Sequence, residues 1–344
     1  MPGKALASAM ALLACSSAPR AAAQDAVAQF YRGKTMTVLV GTEAGGPYDT
    51  YARLFARFLG KHVPGEPTVI VNNMPGAGSE TAATWAARVG PKDGTIVAAT
   101  FASQPLDPVL GETAPGYDPA KLHYLGSAVN EVSVCLVRAG APTTKFEEMF
   151  RTEVVMGGAA ANTASGYHPT ILNNLVGTKF KVVLGYPGAA NITTAILKRE
   201  IDGQCGLGWR AMKSQYGALL ASRELVPVAQ LSERGHPELN AMGLPLTVSY
   251  TRDALSRRVL AIVYSQQLFA RPYFVASDVP ADRVAALRRA FMETWNDPDL
   301  MREAGKMKLE IEPAPGETIQ NLLKTVYASP PDVLKAAKAA VSPK

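Results

Sequence analysis

Thr35-Met-Thr-Val-Leu-Val40, Gly41-Thr-Glu-Ala-Gly-Gly-Pro47 and the segment from Tyr48 to Leu59 read in succession as a buried strand, a glycine-rich loop and a helix. The strand is a short apolar run bounded by turn residues. In the helix, Tyr51, Leu54, Phe55, Phe58 and Leu59 recur at helical spacing, and Asp49 is a candidate N-cap.

The same order recurs along the chain. After the turn Pro64-Gly-Glu-Pro67 comes the strand Thr68-Val-Ile-Val71, the loop Asn73-Met-Pro-Gly-Ala-Gly-Ser79 and a helix to about Val89. Pro91-Lys-Asp-Gly94 is a turn before a strand at 95–100. Residues 132–138 read as a crossover into a second unit with the same plan: strand 154–156, loop 157–166, a helix starting near His168-Pro169, strand 181–184, loop 185–190 and helix 192–197. The stretch 242–277 is least regular, with a helix at 251–264 and a strand near 269–275. Helices at 282–294, 298–305, 316–327 and after Pro331 close the chain. Strand, loop and helix in repeated order argue for α/β architecture with parallel strands and loops on one sheet edge.

The chain has 344 residues, with 35 basic and 29 acidic side chains and a net charge of +6. That length exceeds one typical domain core, so two lobes are expected: 24–130 plus 250–344, and 131–249. No Lys/Arg block stands out, so nucleic acid is not an expected partner, although a mildly positive field favours an anionic ligand. Lys4, the apolar run 5–15 and Ala21-Ala-Ala23 have the order of a secretory signal, expected to be removed as residues 1–23. A buried N-terminal helix is one alternative. Leu12-Leu-Ala-Cys15 offers another, lipid attachment at Cys15. Cys135 and Cys205 either pair in an oxidising periplasm or remain buried free thiols, the second being favoured.

Four loops of small residues, each between a strand and a helix start, bring backbone N–H groups to strand ends, and helix starts of this kind bind anions. Neither Gly41 to Gly46 nor Gly76 to Ser79 carries a dinucleotide fingerprint or a P-loop ending, so no cofactor is expected. A nucleophile elbow, a His-Glu-x-x-His helix and a Cys-x-x-Cys pair are all missing from the sequence, so no enzyme activity, catalytic residue or metal site is assigned. His168 stands beside the third loop as either a ligand contact or a structural residue. Tyr48, Tyr51, Tyr167, Tyr186 and Trp209 lie near the loops, where they either pack the core or stack on a ligand.

The segment 40–53 with Val71-Asn-Asn-Met-Pro-Gly-Ala-Gly-Ser79, Pro91-Lys-Asp-Gly94, Gly185-Tyr-Pro-Gly188 and Ala195-Ile-Leu-Lys-Arg-Glu-Ile-Asp-Gly203 strongly resembles the receptor component of tripartite tricarboxylate transporters, the Bug or TctC family. The resemblance implies a two-lobed periplasmic binding protein of the type II, Venus-flytrap kind, with crossing strands between lobes. It implies a small carboxylate ligand in the cleft, held in part through water, and integral membrane permease subunits as partners of a periplasmic monomer. The ligand-binding set would be Gly45, Gly46, Tyr48, Asp49, Gly76, Ala77, Gly78, Ser79, Ala160, Asn162, Thr163, Ser165, Tyr186, Gly188 and Ala189, with a further contribution from Gly206 to Trp209. The family's usual acidic residue after the Gly-x-Val-Asp strand is lost in Cys205-Gly-Leu-Gly208, which removes an anchor for an amino-acid-like or amide ligand. Residues 250–277 exceed the family's usual return. A ligand-binding partner of a periplasmic sensor kinase is an alternative role, and a periplasmic hydrolase or transferase is the alternative from another class.

Overall fold

The computed structural model describes residues 18–110 and 116–342. Most of the expected export signal, including Cys15, therefore lies outside the described residues, and positions 18–23 begin the first helix. The chain runs through α1 (Ala18–Tyr31), β1 (Thr35–Val40), α2 (Pro47–Leu59), β2 (Thr68–Asn73), α3 (Glu80–Thr84), β3 (Ile96–Ala99), α4 (Asp107–Leu110) and β4 (His123–Ser127). It crosses to β5 (Ser133–Arg138), β6 (Val154–Gly157), α5 (Ala164–Ile171), β7 (Phe180–Val183), α6 (Ala189–Leu197), β8 (Gly203–Gly208), α7 (Trp209–Ala221), β9 (Leu225–Leu231) and α8 (Pro237–Ala241). It returns by α9 (Ala254–Ser265) to β10 (Pro272–Val275), α10 (Ala281–Trp295), α11 (Pro298–Lys306), β11 (Ala314–Pro315), α12 (Gly316–Tyr327) and α13 (Pro331–Ala340).

Two sheets result, in the orders β11-β4-β10-β3-β1-β2 and β7-β6-β8-β5-β9. In the first, β1 is parallel to β2 and β3, with Val40 opposite both Asn73 and Ala99, so three strands end flush. In the second, β6 is parallel to β7 and β8, and Gly157 lies opposite Val183. Antiparallel β5 begins at this same edge, Ser133 facing Gly208 at the end of β8. Each sheet therefore collects its strand-to-helix loops on one edge, as parallel strands require. The two connections between the sheets run side by side: Ala128 N donates to Arg271 O at 3.1 Å and Glu131 N to Gln267 O at 3.0 Å.

The apolar spacing of α2 buries Tyr51, Leu54, Phe55 and Leu59 against the first sheet, with Phe58 half-buried. Phe55 stacks on Trp295 at 5.3 Å between centroids and tilts against Tyr273 and Phe291, which joins α2, α10 and β10 in one core. Burying such a ring is worth about 1.5–3 kcal/mol. A second cluster under β5 holds Val134, Leu136, Ile192, Ile196, Trp209 and Met212.

Three expectations need correction. The third-loop helix begins at Ala164, not near His168, because Pro169 lies inside the helix. Proline favours a first helical turn, which misled the reading, and here it gives up the bond to the Ser165 carbonyl. The helix of the fourth loop starts at Ala189, three residues before the expected Ile192. Cys135 and Cys205 are not free thiols. They form a disulfide between β5 and β8, whose antiparallel register places them opposite one another. Replacing both by alanine should lower stability by about 2–4 kcal/mol, as removing a crosslink across a long loop does. Urea melts should give the double variant the midpoint of the reduced wild type, and an oxidised wild type melting at that same midpoint would contradict the assignment.

Candidate functional site: loops at the facing strand ends

The first two loops are held by one carboxylate. Asp49 is 2% exposed; it accepts from Gly45 N at 2.8 Å, Arg53 Nε at 2.8 Å and Asn73 Nδ2 at 2.9 Å. Asn73 Nδ2 also donates to Thr42 O, and Arg53 reaches Asn73 Oδ1. Asp49 is thus not the N-cap, a position taken by Gly46, because Pro47 starts the helix three residues earlier than an N-cap at Asp49 implies. Burial pushes the Asp49 carboxyl up, but the hydrogen bonds from Arg53, Gly45 and Asn73 together outweigh it and leave its pKa below the ordinary value. The Gly45 amide is consumed in this network.

Ser79 is likewise spent on structure. It is 1% exposed, donates to Gly41 O at 2.9 Å and accepts from Phe101 N at 3.2 Å. Gly76, Ala77, Gly78 and Ser79 all have positive φ, at 137°, 46°, 63° and 75°. Left-handed alanine and serine are strained, and strain of this kind collects where surrounding structure enforces it for function. The run keeps backbone at the loop surface free of covering side chains.

Across from it stands the third loop. A Cβ placed on Gly78 would lie 3.1 Å from Asn162 Nδ2, so the loops of the two sheets come into contact here. Ser165 Oγ accepts from Ala159 N at 3.0 Å, and Thr163 Oγ1 accepts from Ala160 N at 3.2 Å and donates back to Ala160 O at 2.7 Å. In the fourth loop, Gly185 N and Tyr186 N donate to Ala159 O and Gly158 O, which seats it against the third. Gly188 precedes α6, and neither it nor Gly46 or Thr163 places a side-chain cap on its helix. The first amides of α5 and α6, and in α2 those that follow Pro47, which has no N–H, thus carry no side-chain cap and suit an anion.

The start of α7 differs. Glu131 Oε1 accepts from Arg210 N at 2.9 Å and Ala211 N at 3.2 Å. Gly208 leaves room beside it for this carboxylate, since a Cβ there would fall 2.2 Å from Glu131 Cδ. A carboxylate therefore does stand at the end of β8, supplied from the inter-sheet connection and not from the strand. Arg271 lies next to it, stacked 4.2 Å over the ring of Tyr48 and 5.4 Å over Tyr51. Arg210 and Lys213 of α7 reach back to Glu310, and Arg210 also to Glu312, across the two units. Glu131 and Arg271 had no sequence signal, because their partners are distant in the chain.

Among the aromatic candidates, Tyr48 accepts from Ala102 N at 3.3 Å and packs edge-on against Phe101. Tyr167 is buried and bonds Gln266, so it belongs to the core, and Trp209 donates to Glu238. Tyr186 is half-buried at the loop edge. His168 is 3% exposed against Tyr167 and Tyr264, and burial pushes its pKa down to about 3. It is a neutral core residue. No group of three or more potential metal ligands occurs among the described residues, and no helix there is long and apolar enough to cross a membrane.

Because the folded-state pKa of His168 is depressed, its contribution is present above the unfolded value of 6.5 and is lost as pH falls toward about 3. His168→Phe should flatten the pH dependence of stability over that interval. Parallel slopes for wild type and variant in denaturant melts from pH 7 to pH 3.5 would refute this.

No protein-family model matches the chain. An Agrobacterium vitis protein, described as the UPF0065 protein in the TAR-I ttuE-ttuC' intergenic region, is 31% identical over 198 residues, a match spanning 54% of this chain and about half, 53%, of that protein. The solved structure of the periplasmic binding protein BugD superposes with a TM-score of 0.67 at 21% identity, covering 91% of this chain and all of that one. MatC from Rhodopseudomonas palustris, solved with bound malate, gives 0.64 at 18% identity, over 90% of this chain and 99% of its own. With its two mixed sheets, paired crossing connections and facing loop edges, the chain has the two-lobed α/β fold of the BugD-type periplasmic binding proteins.

Proposed function

We propose that this protein is an extracytoplasmic receptor of the Bug or TctC kind, which captures a small organic carboxylate between its lobes and delivers it to the permease of a tripartite tricarboxylate transporter. The observation that carries the reading is the contact of Gly78 with Asn162, which brings the left-handed run of one lobe against the third loop of the other. A ligand seated there touches both lobes and stabilises the closed state over the open one. Backbone amides suit a carboxylate because they offer hydrogen bonds without a counter-charge that must first be desolvated.

In this reading Gly46, Tyr48, Gly76, Ala77 and Gly78 of one lobe face Ala160, Asn162, Thr163, Ser165, Tyr186, Gly188 and Ala189 of the other around the ligand. Gly45, Asp49 and Ser79 act one step back, by fixing the loops. The lobes are taken as 24–130 with 250–344, and 131–249. Residence in the periplasm follows from the receptor role, as does ligand capture without chemical change. The Agrobacterium vitis relative and the malate held by MatC support the family and the ligand class.

A thermal-shift screen of residues 24–344 against organic acids, followed by calorimetry, tests the proposal, since a ligand bound only by the folded state raises the melting temperature. Asn162→Trp places a large ring in the narrow gap facing Gly78 while disturbing no buried group. It should abolish the shift produced by the best acid and leave the ligand-free melting temperature within about 1 °C, as an exposed substitution does. Undiminished binding by this variant, or the failure of every acid to shift the wild type, would count against the reading.

A further inference from the structure

The start of α7 has every feature of a carboxylate site, and the chain fills it with its own side chain. Glu131 Oε1 takes the amides of Arg210 and Ala211, and Glu131 Oε2 lies 3.7 Å from Arg271 Nη2. Glu131 is 6% exposed and Arg271 9%, and Arg271 Nε is buried without a hydrogen-bond partner among the described residues. Gly208 leaves the room the carboxylate occupies. Two backbone amides at the head of α7, whose helical geometry breaks at Tyr216, a buried guanidinium and a bare glycine thus converge on one anionic group.

The position of that group is fixed. Glu131 N donates to Gln267 O in the paired connections, so its backbone cannot retreat without separating them. The subsite also stands at the functional edge: Gly208 ends β8 opposite Ser133, and the Arg271 guanidinium lies against Tyr48 of the first loop helix. A ligand carboxylate arriving at α7 would have to displace Glu131 or meet it as a like charge, and such juxtapositions cost several kcal/mol. The uncapped start of α6 and the left-handed run at Gly76–Ser79 carry no such occupant.

We propose that Glu131 determines the ligand class of the cleft: its carboxylate fills the anion subsite at α7, so the protein takes acids with one carboxylate end and rejects the dicarboxylate of the same skeleton. This rests on the carboxylate-receptor reading. The ligand's single carboxylate is held by the loop amides, and its far end, directed toward Glu131, is apolar or a hydrogen-bond donor.

Calorimetric titration of the wild type, Glu131→Ala and Glu131→Gln with three matched pairs, butyrate and succinate, hexanoate and adipate, benzoate and terephthalate, tests the inference. In the wild type, the monocarboxylate of the pair that binds should be preferred on the order of tenfold or more, the size of effect expected when a second carboxylate must break the hydrogen bonds between Glu131 and the α7 amides. Glu131→Ala vacates the subsite and should lose or invert that preference. Glu131→Gln should keep it, because its side-chain carbonyl still accepts the two α7 amides. A wild type that binds the dicarboxylate as tightly as its partner overturns the proposal whatever the variants do. So does a cooperatively folded alanine variant with an unchanged preference, or a glutamine variant that behaves like the alanine one. If none of these six and no acid of the thermal-shift screen binds the wild type, the receptor reading itself fails, an outcome separate from a wrong preference among acids that bind.

Discussion

Two backbone hydrogen bonds, Ala128 N to Arg271 O and Glu131 N to Gln267 O, lock together the connections that pass between the sheets, and the rest of the molecule is arranged around them. They bring the end of β4 beside the start of β10 and hold the entry to β5 next to the return from α9. Because β5 is antiparallel to β8 while β6, β7 and β8 run parallel, fixing the start of β5 also fixes where the second set of loops lies. The first sheet obeys the same logic through β3 and antiparallel β10, whose Tyr273 pairs with Ala99. A pair of adjacent crossings restrains sliding of one lobe on the other more than it restrains bending, and bending is the motion that opens a cleft.

On this frame, polar groups near the cleft divide into those already committed and those left over. Asp49 is surrounded by donors from Gly45, Arg53 and Asn73, and Ser79 both donates and accepts. Satisfied in this way, they cost little to bury and make the loops stiff. Stiffness matters at Ala77 and Ser79, whose left-handed backbones persist only because the neighbouring bonds hold them. Pre-formed backbone loses less entropy on taking a ligand than loops that must order first.

How much of this was legible in the chain depended on whether the cause was local. The α2 stripe of Tyr51, Leu54, Phe55 and Leu59, the strands at 35–40 and 68–71 and the glycine-rich turns after them are consequences of near-neighbour pattern, and the folded elements agree with their reading, except that β2 runs on to Asn73. The α/β class followed from repeating that pattern. The disulfide was misread because it depends on β5 and β8 becoming antiparallel neighbours across 70 residues of sequence. Asp49 was misread because a helix start with Pro47 at its first position needs no side-chain cap, and the carboxylate turned instead to Asn73 on the next strand end. For Glu131 no local signal existed: its neighbours in sequence are Asn130 and Val132, whereas its partners are Arg210, Ala211 and Arg271.

That last case bears on how one scaffold can come to differ in what it recognises. Fold fixes which edges face each other and leaves open which helix starts are empty. A helix start exposes the same unpaired amides whatever its sequence, so the economical way to remove it from recognition is to satisfy it from within the chain. A glutamate in the inter-lobe connection can do so without altering a single loop residue, provided the residue it presses against has no side chain. Gly208 meets that condition, and Arg271 supplies the balancing charge while its flat face rests on Tyr48. Glu131 and Arg271, which belong to the paired connections, therefore also satisfy one helix start from within the chain, so the joining of the two sheets and the filling of that helix start share a single structural origin.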